Sequence, residues 1–310
     1  MLRVSVLIPA YNHARFLPDA IECLLKQTRR PDEIVVVDDG STDDTAAVLD
    51  HYADQIIAVR QENRGASAAR NTAYKCSTGD LIAFLDGDDT LEPTSIEKRA
   101  ACLENNPALD FVYTGAYMTD LQGQPLQWFR RPPLPSGNVF AHVICRHLFP
   151  IHAVMFRRSI VQRDDLFDAR YRSAEDLELW SYLLAERVVT AINEPLAYYR
   201  SHPDMMTKRM DIVGASLVSV QEQIMRMPAF AKLIPVQKAE FYTWHATYHL
   251  YARHRKQSFQ YVLRSLRLAP TVRRAYLMLL MSILGTQGFE NAQRVYRRAS
   301  QLRQSTGHKP

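Results

Sequence analysis

Residues 80–90 read DLIAFLDGDDT, an apolar run from Leu81 to Leu85 that stops on three carboxylates, Asp86, Asp88 and Asp89. A short, uninterrupted apolar segment bounded by polar residues has the form of a strand covered on both faces. Like charges crowded at the mouth of such a strand raise one another's electrostatic energy, and a cation is the usual remedy. Asp86 and Asp88 have the Asp-x-Asp spacing that lets a short loop present oxygen ligands to a hard divalent ion, Mg2+ or Mn2+. An acid-rich surface turn would share this composition. Because Asp86 directly follows the buried-looking run, the ligand reading is favoured.

On either side of this stretch, the first 115 residues alternate apolar runs with helical periodicity, the pattern of a parallel sheet with crossover helices. Runs at 3–9, 32–39, 55–61 and 109–115 join 80–86 as five strands, each read as buried on both faces. ARFLPDAIECLLKQ (14–27) places Phe16, Leu17, Ile21, Leu24 and Leu25 on one helical face, and Ser41 or Thr42 is positioned to cap the helix after the second strand. SAEDLELWSYLLAE (173–186) is a helix with Leu177, Trp180 and Leu184 on its apolar face, followed by short strands at 188–192 and 196–200. From about 212 onward the period is helical. In SFQYVLRSLRLAP the residues Phe259, Val262, Leu263 and Leu266 form one stripe, and Pro270 ends it.

In an open α/β sheet, ligands bind beyond the carboxyl ends of the strands. Those ends carry Pro9 to Asn12, Asp38 to Ser41 and the acidic loop. A carboxylate at 38 or 39 can accept a hydrogen bond from a base N–H or a ribose hydroxyl, with Gly40 permitting the tight turn; an N-cap and turn cluster would use the same residues. In QENRGASAARN (61–71), Gly65 and the small residues after it let a helix approach the sheet closely. Arg64 and Arg70 there offer fork-shaped donors for phosphate or base oxygens, or are simply solvated. Glu175 and Asp176 stand in a first helical turn, where acids complement the dipole and where one within reach of a hydroxyl acts as a general base. Arg200 and His202 follow a strand, placed either to meet phosphate or to serve the structure.

SVLIPAYN, VVVDDGSTDDT, ENRGASAARN, FLDGDD, AEDLELW and YRSH, in this order, closely resemble family 2 glycosyltransferases of the GT-A fold over residues 3 to about 207. The resemblance implies an α/β, Rossmann-like architecture: a mixed, mainly parallel sheet flanked by helices, with a C-terminal all-helical extension. Residues 1–210 would be the catalytic domain, its nucleotide-binding part about 1–115 and its acceptor-binding part about 116–210, followed by a basic helical region at 211–310. The activity implied is metal-dependent, inverting transfer from a nucleotide sugar, a UDP-sugar by preference, to a hydroxyl of a glycan or lipid-linked acceptor. Bacterial cell-surface polysaccharide or lipopolysaccharide synthesis is the expected setting. By motif, Pro9, Ala10 and Tyr11 would frame the base, Asp39 or its neighbour Asp38 would contact it, and Arg70 would help hold the nucleotide. Asp86 and Asp88 match the Asp-x-Asp element that takes Mn2+ or Mg2+ beside the donor nucleotide, Asp88 as the direct ligand. Asp176 matches the catalytic base, Glu175 its supporting neighbour, and His202 a residue that in relatives approaches the diphosphate. The Gln-x-x-Arg-Trp segment of processive synthases is absent, which favours single additions.

The bulk properties agree with this reading. A 47% hydrophobic, 23% charged chain of 310 residues is globular rather than disordered or fibrous. Its four cysteines have no CxxC spacing, so neither a disulfide scaffold nor a cysteine zinc cluster is expected, and a reducing cytoplasm is the natural home. The N-terminal stretch lacks a signal-peptide pattern, and YLMLLMSILG (276–285) is about half of a bilayer span. Residues 251–310 hold 12 Lys and Arg against the single acid Glu290, leaving net −6 before position 251 and +11 after it. Either this region lies against an anionic membrane, giving a cytoplasmic protein peripheral on the inner face, or it is a solvated basic face. The aromatics here, Tyr251, Phe259, Tyr261, Tyr276, Phe289 and Tyr296, fall mostly on apolar stripes, so no nucleic acid is expected. The rival reading, a non-catalytic nucleotide-binding or membrane-associated scaffold, would lack a metal or base carboxylate, and none is missing.

Overall fold

The computed structural model describes residues 1–146, 148–171, 173–202, 205 and 210–284. The chain divides into two compact units, 1–205 and 206–310, each taken by itself.

In the first unit, β1 (Val4–Ala10), β2 (Glu33–Asp38), β3 (Ile57–Arg60) and β4 (Leu81–Phe84) form a parallel set in the order β3-β2-β1-β4. β1 is buried along its whole length, and register sets Ala10 opposite Asp38 and Leu7 opposite Phe84. The carboxyl ends of the central strands therefore open on one rim. β3 departs from the expected double coverage: it is the sheet's edge, and its residues are largely exposed.

Between the strands run α1 (Leu17–Leu25), α2 (Thr45–His51) and α3 (Ala66–Cys76). Ala69 and Ala73, fully buried, let α3 lie against β1 and β2. Gly65 does not share that task, since a Cβ there would meet nothing within 4 Å. Its φ of +89° is the reason for glycine. The cap of α2 also differs from expectation. Asp44 is the N-cap, the Asp43 carboxylate accepts from the N–H of Thr45, and Ser41 Oγ accepts from the N–H of Asn12 instead.

The remainder of the unit is β5 (Thr90–Leu91), α4 (Ser95–Glu104), β6 (Phe111–Thr119), β7 (Pro125–Trp128), α5 (Phe140–Val143), β8 (Val154–Arg157), α6 (Glu175–Leu184) and β9 (Thr190–Arg200). β8 inserts between β4 and β6, antiparallel to both, and the sheet continues to β9 and β5 with β7 on the flank of β6. Four residues are too few to show a period, which is why β8 has no signal in the sequence. The two strands read at 188–192 and 196–200 are one strand, β9, parallel to β6 with an irregular register around Gly115. A Cβ at Gly115 would lie 2.7 Å from the Trp128 ring and 2.9 Å from Glu194 O, so only glycine fits the irregularity. Trp180 of α6 closes the core with its edge on Phe111 and Phe149, beside Phe84 and Phe156.

The second unit is helical where described: α7 (Met210–Ile224), α8 (Pro228–Ala231), α9 (Pro235–Tyr251), α10 (Arg255–Leu268) and a further helix over 273–284. Ala246, Leu250, Val262, Ala275, Met278 and Met281 form a core cluster. The expected stripe of α10 is only partly correct. Val262 is buried, but Phe259 is 37% exposed, and the inward positions include Ser258 and Ser265. Ser265 Oγ donates to Ala239 O at 2.7 Å and Ser258 Oγ pairs with Ser282 Oγ at 2.8 Å. Small hydroxylated side chains there let the helices close in where a phenyl ring would hold them apart. Tyr276, expected on an apolar stripe, is exposed, while Phe289 and Tyr296 lie outside the described residues. No helix among the described residues is long and apolar enough to cross a membrane.

Candidate active site

β1 and β2 deliver the first group of side chains to the rim. Asp38 Oδ1 accepts from the N–H of Ser41 at 2.8 Å. Its buried Oδ2 has no hydrogen-bond partner among the described residues and lies 3.6 Å from Arg60 Nε. Asp39 is fully engaged: Oδ1 accepts from Gln61 Nε2 (2.6 Å) and Arg64 N (2.9 Å), and Oδ2 from Gly65 N (2.7 Å). Of the two adjacent carboxylates, then, Asp39 shapes the 61–65 loop and Asp38 keeps an open acceptor. Gly40, at φ +75°, brings this loop so near that a Cβ would sit 2.8 Å from Asn63 N. Pro9 and Ala10 end the buried strand, and Tyr11 just beyond them is 45% exposed.

The acidic loop presses on the same rim. A Cβ at Gly87 would lie 2.5 Å from His13 Nδ1, so glycine is required for the loop to close on the end of β1. Each of the three carboxylates faces a protein base, where the sequence suggested uncompensated repulsion. Asp86 Oδ1 accepts from Arg70 at 2.6 Å, and Asp88 Oδ2 lies 2.8 Å from His202 Nε2. Asp89 is buried; its Oδ1 accepts from the N–H of Arg200 at 2.8 Å, and its Oδ2 lies 3.0 Å from His152 Nδ1, although out of line for a hydrogen bond. Burial raises the Asp89 carboxyl, His152 opposes this, and the Asp88 charge raises it further. Through Arg200 and the β5–β9 pairing, Asp89 holds the end of β9 so that His202 reaches Asp88.

Arg70 joins this loop to α6. Its guanidinium, 5% exposed, donates from one nitrogen to Asp86 and from another to Glu175 Oε1 at 2.7 Å. The expected role of Arg70 was to hold the nucleotide; the structure gives its fork two protein carboxylates. Burial raises the Glu175 carboxyl, Arg70 pulls it back, and the Asp176 charge pushes it up again. Asp176, next along α6, accepts the N–H of Leu177 at 2.7 Å. Ala174, the N-cap, has φ +62° without being glycine, a conformation that costs about 1–3 kcal/mol. Strain of this kind persists where the surroundings over-determine it, and here it sits immediately before the two acids.

One rim therefore gathers an open acceptor, an acid cluster with oxygen atoms within 4.8 Å of one another, and a buried arginine linked to paired acids on a helix start. The sequence profile of Glycosyl transferase family 2 matches residues 5–163. The chain belongs to glycosyltransferase family 2. This family 2 chain is 32% identical over 222 residues to the uncharacterized glycosyltransferase EpsJ of Bacillus subtilis, covering 66% of this chain and 63% of that one. It is 34% identical over 148 residues to the chondroitin synthase of Escherichia coli, covering 46% of this chain and 22% of the synthase. The chain spans between 34% and 63% of the length of three curated relatives it matches. Among solved structures, S. aureus TarS 1–349 in complex with UDP-GlcNAc aligns with a TM-score of 0.67 at 17% identity, covering 96% of this chain and 92% of that one. The mannosyltransferase PcManGT of Pyrobaculum calidifontis, in complex with GDP-Man and Mn2+, aligns at 0.58 and 18%, covering 99% and 88%. Both share the GT-A fold of this family 2 domain.

Three neighbours of the site went unread in the sequence. His13 packs on Gly87, His152 backs Asp89, and Gln61 holds Asp39. His13 directly follows PAYN and was within reach of a local reading. His152 lies in a segment without periodicity, and only the folding of a distant loop brings it to Asp89.

Proposed function

We propose that the chain transfers a sugar residue from a nucleoside-diphosphate sugar, a UDP-sugar by preference, to a hydroxyl of a glycan or lipid-linked acceptor. The observation that carries this reading is the Arg70 bridge, which locks the acidic loop at the end of β4 to the helix start bearing Glu175 and Asp176. Family membership supports the reaction class and, by resemblance, inversion at the anomeric carbon. The UDP-GlcNAc bound in TarS and the GDP-Man and Mn2+ bound in PcManGT support a nucleotide sugar and a divalent ion.

Asp86, Asp88 and Asp89 fit such an ion, being an all-oxygen set within 4.8 Å that suits Mg2+ or Mn2+ better than a softer metal. Asp88 and Asp86 would hold it, with Asp89 committed to the backbone of Arg200. When bound, the ion offsets the negative charge developing on the departing diphosphate. Asp38 Oδ2 takes an N–H of the base, and Tyr11 offers it a ring face beside Pro9 and Ala10. His202 steadies Asp88 and, by family resemblance, would approach the diphosphate. Arg70 and Glu175 hold the start of α6, so that the Asp176 carboxylate receives the proton of the acceptor hydroxyl as its oxygen attacks the anomeric carbon.

Calorimetric titration with uridine, guanosine and thymidine diphosphates, with and without Mn2+ or Mg2+, tests the donor side. Uridine diphosphate is expected to bind only with the ion, and Asp88→Asn to weaken that binding by at least about tenfold. If all three nucleotides ignore the protein under every condition, the reading fails. Binding without transfer to any acceptor would favour the non-catalytic scaffold.

The second unit supports a place at an anionic membrane surface; synthesis of cell-surface polysaccharide at the inner face is proposed by family resemblance alone. The helix over 273–284 exposes Tyr276, Leu277, Leu280, Ile283 and Leu284 along one side, each half or more exposed, and begins with Arg273 and Arg274. An apolar stripe among cations is the form of an interfacial helix, each cation contributing about 1 kcal/mol at an anionic surface. Flotation with liposomes should show the protein rising with anionic vesicles and staying behind with neutral ones; equal behaviour would leave the basic face merely solvated.

A further inference from the structure

α9 carries His245 and His249 one turn apart, and α7 carries Gln221 and Glu222 beside them. Both imidazoles are buried, at 0% and 3% exposure. Their Nε2 atoms lie 3.2 Å apart, and a Glu222 carboxylate oxygen comes within 4.8 Å of both histidines' ligand atoms. Two nitrogens bound tetrahedrally at about 2.0–2.1 Å from one ion would stand about 3.4 Å apart, close to what is found.

The outer nitrogens decide where the lone pairs point. His245 Nδ1 lies 3.0 Å from Gln221 Oε1, and an amide oxygen only accepts, so Nδ1 carries the proton and Nε2 is a bare lone pair. In the 3.2 Å hydrogen bond between the two Nε2 atoms His249 is then the donor; binding of an ion would move that proton to His249 Nδ1, 3.4 Å from His254 Nδ1, which accepts it when His254 is neutral and protonated at Nε2. An acceptor on the outer nitrogen is the arrangement that aims the inner one at a metal. Ring contacts lock both imidazoles: Tyr261 stacks on His249 at 5.3 Å and meets His245 edge to face at 4.3 Å, and Phe241 stacks on His245 at 6.0 Å. A pair of apolar side chains would fill this space without desolvating two polar rings, so packing alone does not explain them.

We propose that Glu222, His245 and His249 bind a borderline divalent transition-metal ion of the zinc class, which clips α7 to α9 and leaves one coordination position for solvent or an added donor. The mixed nitrogen and oxygen set separates this site from the all-oxygen cluster of the first unit. Neither site depends on the other.

The test uses the full chain, freed of metal by a chelator and titrated with Zn2+ in millimolar Mg2+, which occupies the hard oxygen cluster. One equivalent of zinc should bind, raise the melting temperature, and show scattering from two imidazoles in zinc-edge X-ray absorption. Co2+ in its place should give the visible absorption of a tetrahedral ion. Glu222→Gln, at an exposed position, should weaken zinc binding by at least about tenfold, and His249→Asn should abolish the equivalent, while Asp88→Asn retains it. If His249→Asn fails to fold, the X-ray absorption of the unaltered chain together with Glu222→Gln decides. Zinc bound without imidazole scattering, or bound equally by Glu222→Gln, would overturn the site and leave a hydrogen-bonded histidine relay only.

Discussion

Asp176→Asn is expected to reduce sugar transfer by about 10²–10⁴-fold while leaving nucleotide affinity unchanged, because a positioned general base contributes a factor of that size. The substitution keeps shape. Asparagine's Oδ1 still accepts the N–H of Leu177, so the first turn of α6 survives, and Glu175 still meets Arg70. On the proposed mechanism, what disappears is the capacity to take a proton from the acceptor hydroxyl. Rates measured at saturating donor, beside the affinity for uridine diphosphate with Mn2+, separate the two effects. Transfer at a near-normal rate would remove Asp176 from the role of base. Glu175→Gln makes a useful contrast, because Glu175 touches Arg70 and acts by positioning.

Removing the arginine should show in stability as well as activity. Arg70→Leu leaves Asp86 and Glu175 without their shared cation, and these side chains are only 24% and 14% exposed. Breaking a buried ion pair from one side costs about 3–5 kcal/mol, since a desolvated charge is left behind. The deficit should depend on pH, with a definite sign. Burial already raises Glu175, and loss of Arg70 raises it further, so the folded variant holds a proton that the unfolded chain releases near about pH 4.3. The variant's penalty is therefore smallest below that value and grows as pH rises through the folded-state titration. Urea unfolding at several pH values checks this, and midpoints equal to those of the parent throughout would refute the bridge. Arg70→Lys should fall between, because one ammonium cannot span two carboxylates as a fork does.

The sequence and the structure agree most closely where the signal is local. LIAFL and IVVV are continuous apolar runs, and both became central buried strands. The stripe of Leu177, Trp180 and Leu184 is buried as read. Agreement fails where neighbours along the chain do not determine the outcome. β3 is as apolar as its companions, yet being last in the sheet it has one side unpaired. Ser258 and Ser265 displaced Phe259 from the inward face of α10 because the helices approach too closely for a ring. Asp38 and Asp39 are alike in the sequence, and only the fold of residues 61–65 consumes one of them.

By itself the sequence determined the strands β1 to β4 and β6, the helices α1 and α6 and the helical character after about 212, that acids crowd the end of β4, and that the ordered motifs are those of family 2. Periodicity and adjacent residue types carry that information, because hydrogen bonding and burial within one element depend on residues a few positions apart. Only the tertiary structure decided that β8 enters between β4 and β6, that Arg70 joins Asp86 to Glu175, that His202 reaches Asp88, and that Glu222 stands beside His245 and His249. Those partners, apart from Arg70 and Asp86, lie more than 20 positions apart and meet only because the whole sheet or bundle buries its apolar faces, and no local pattern records that meeting.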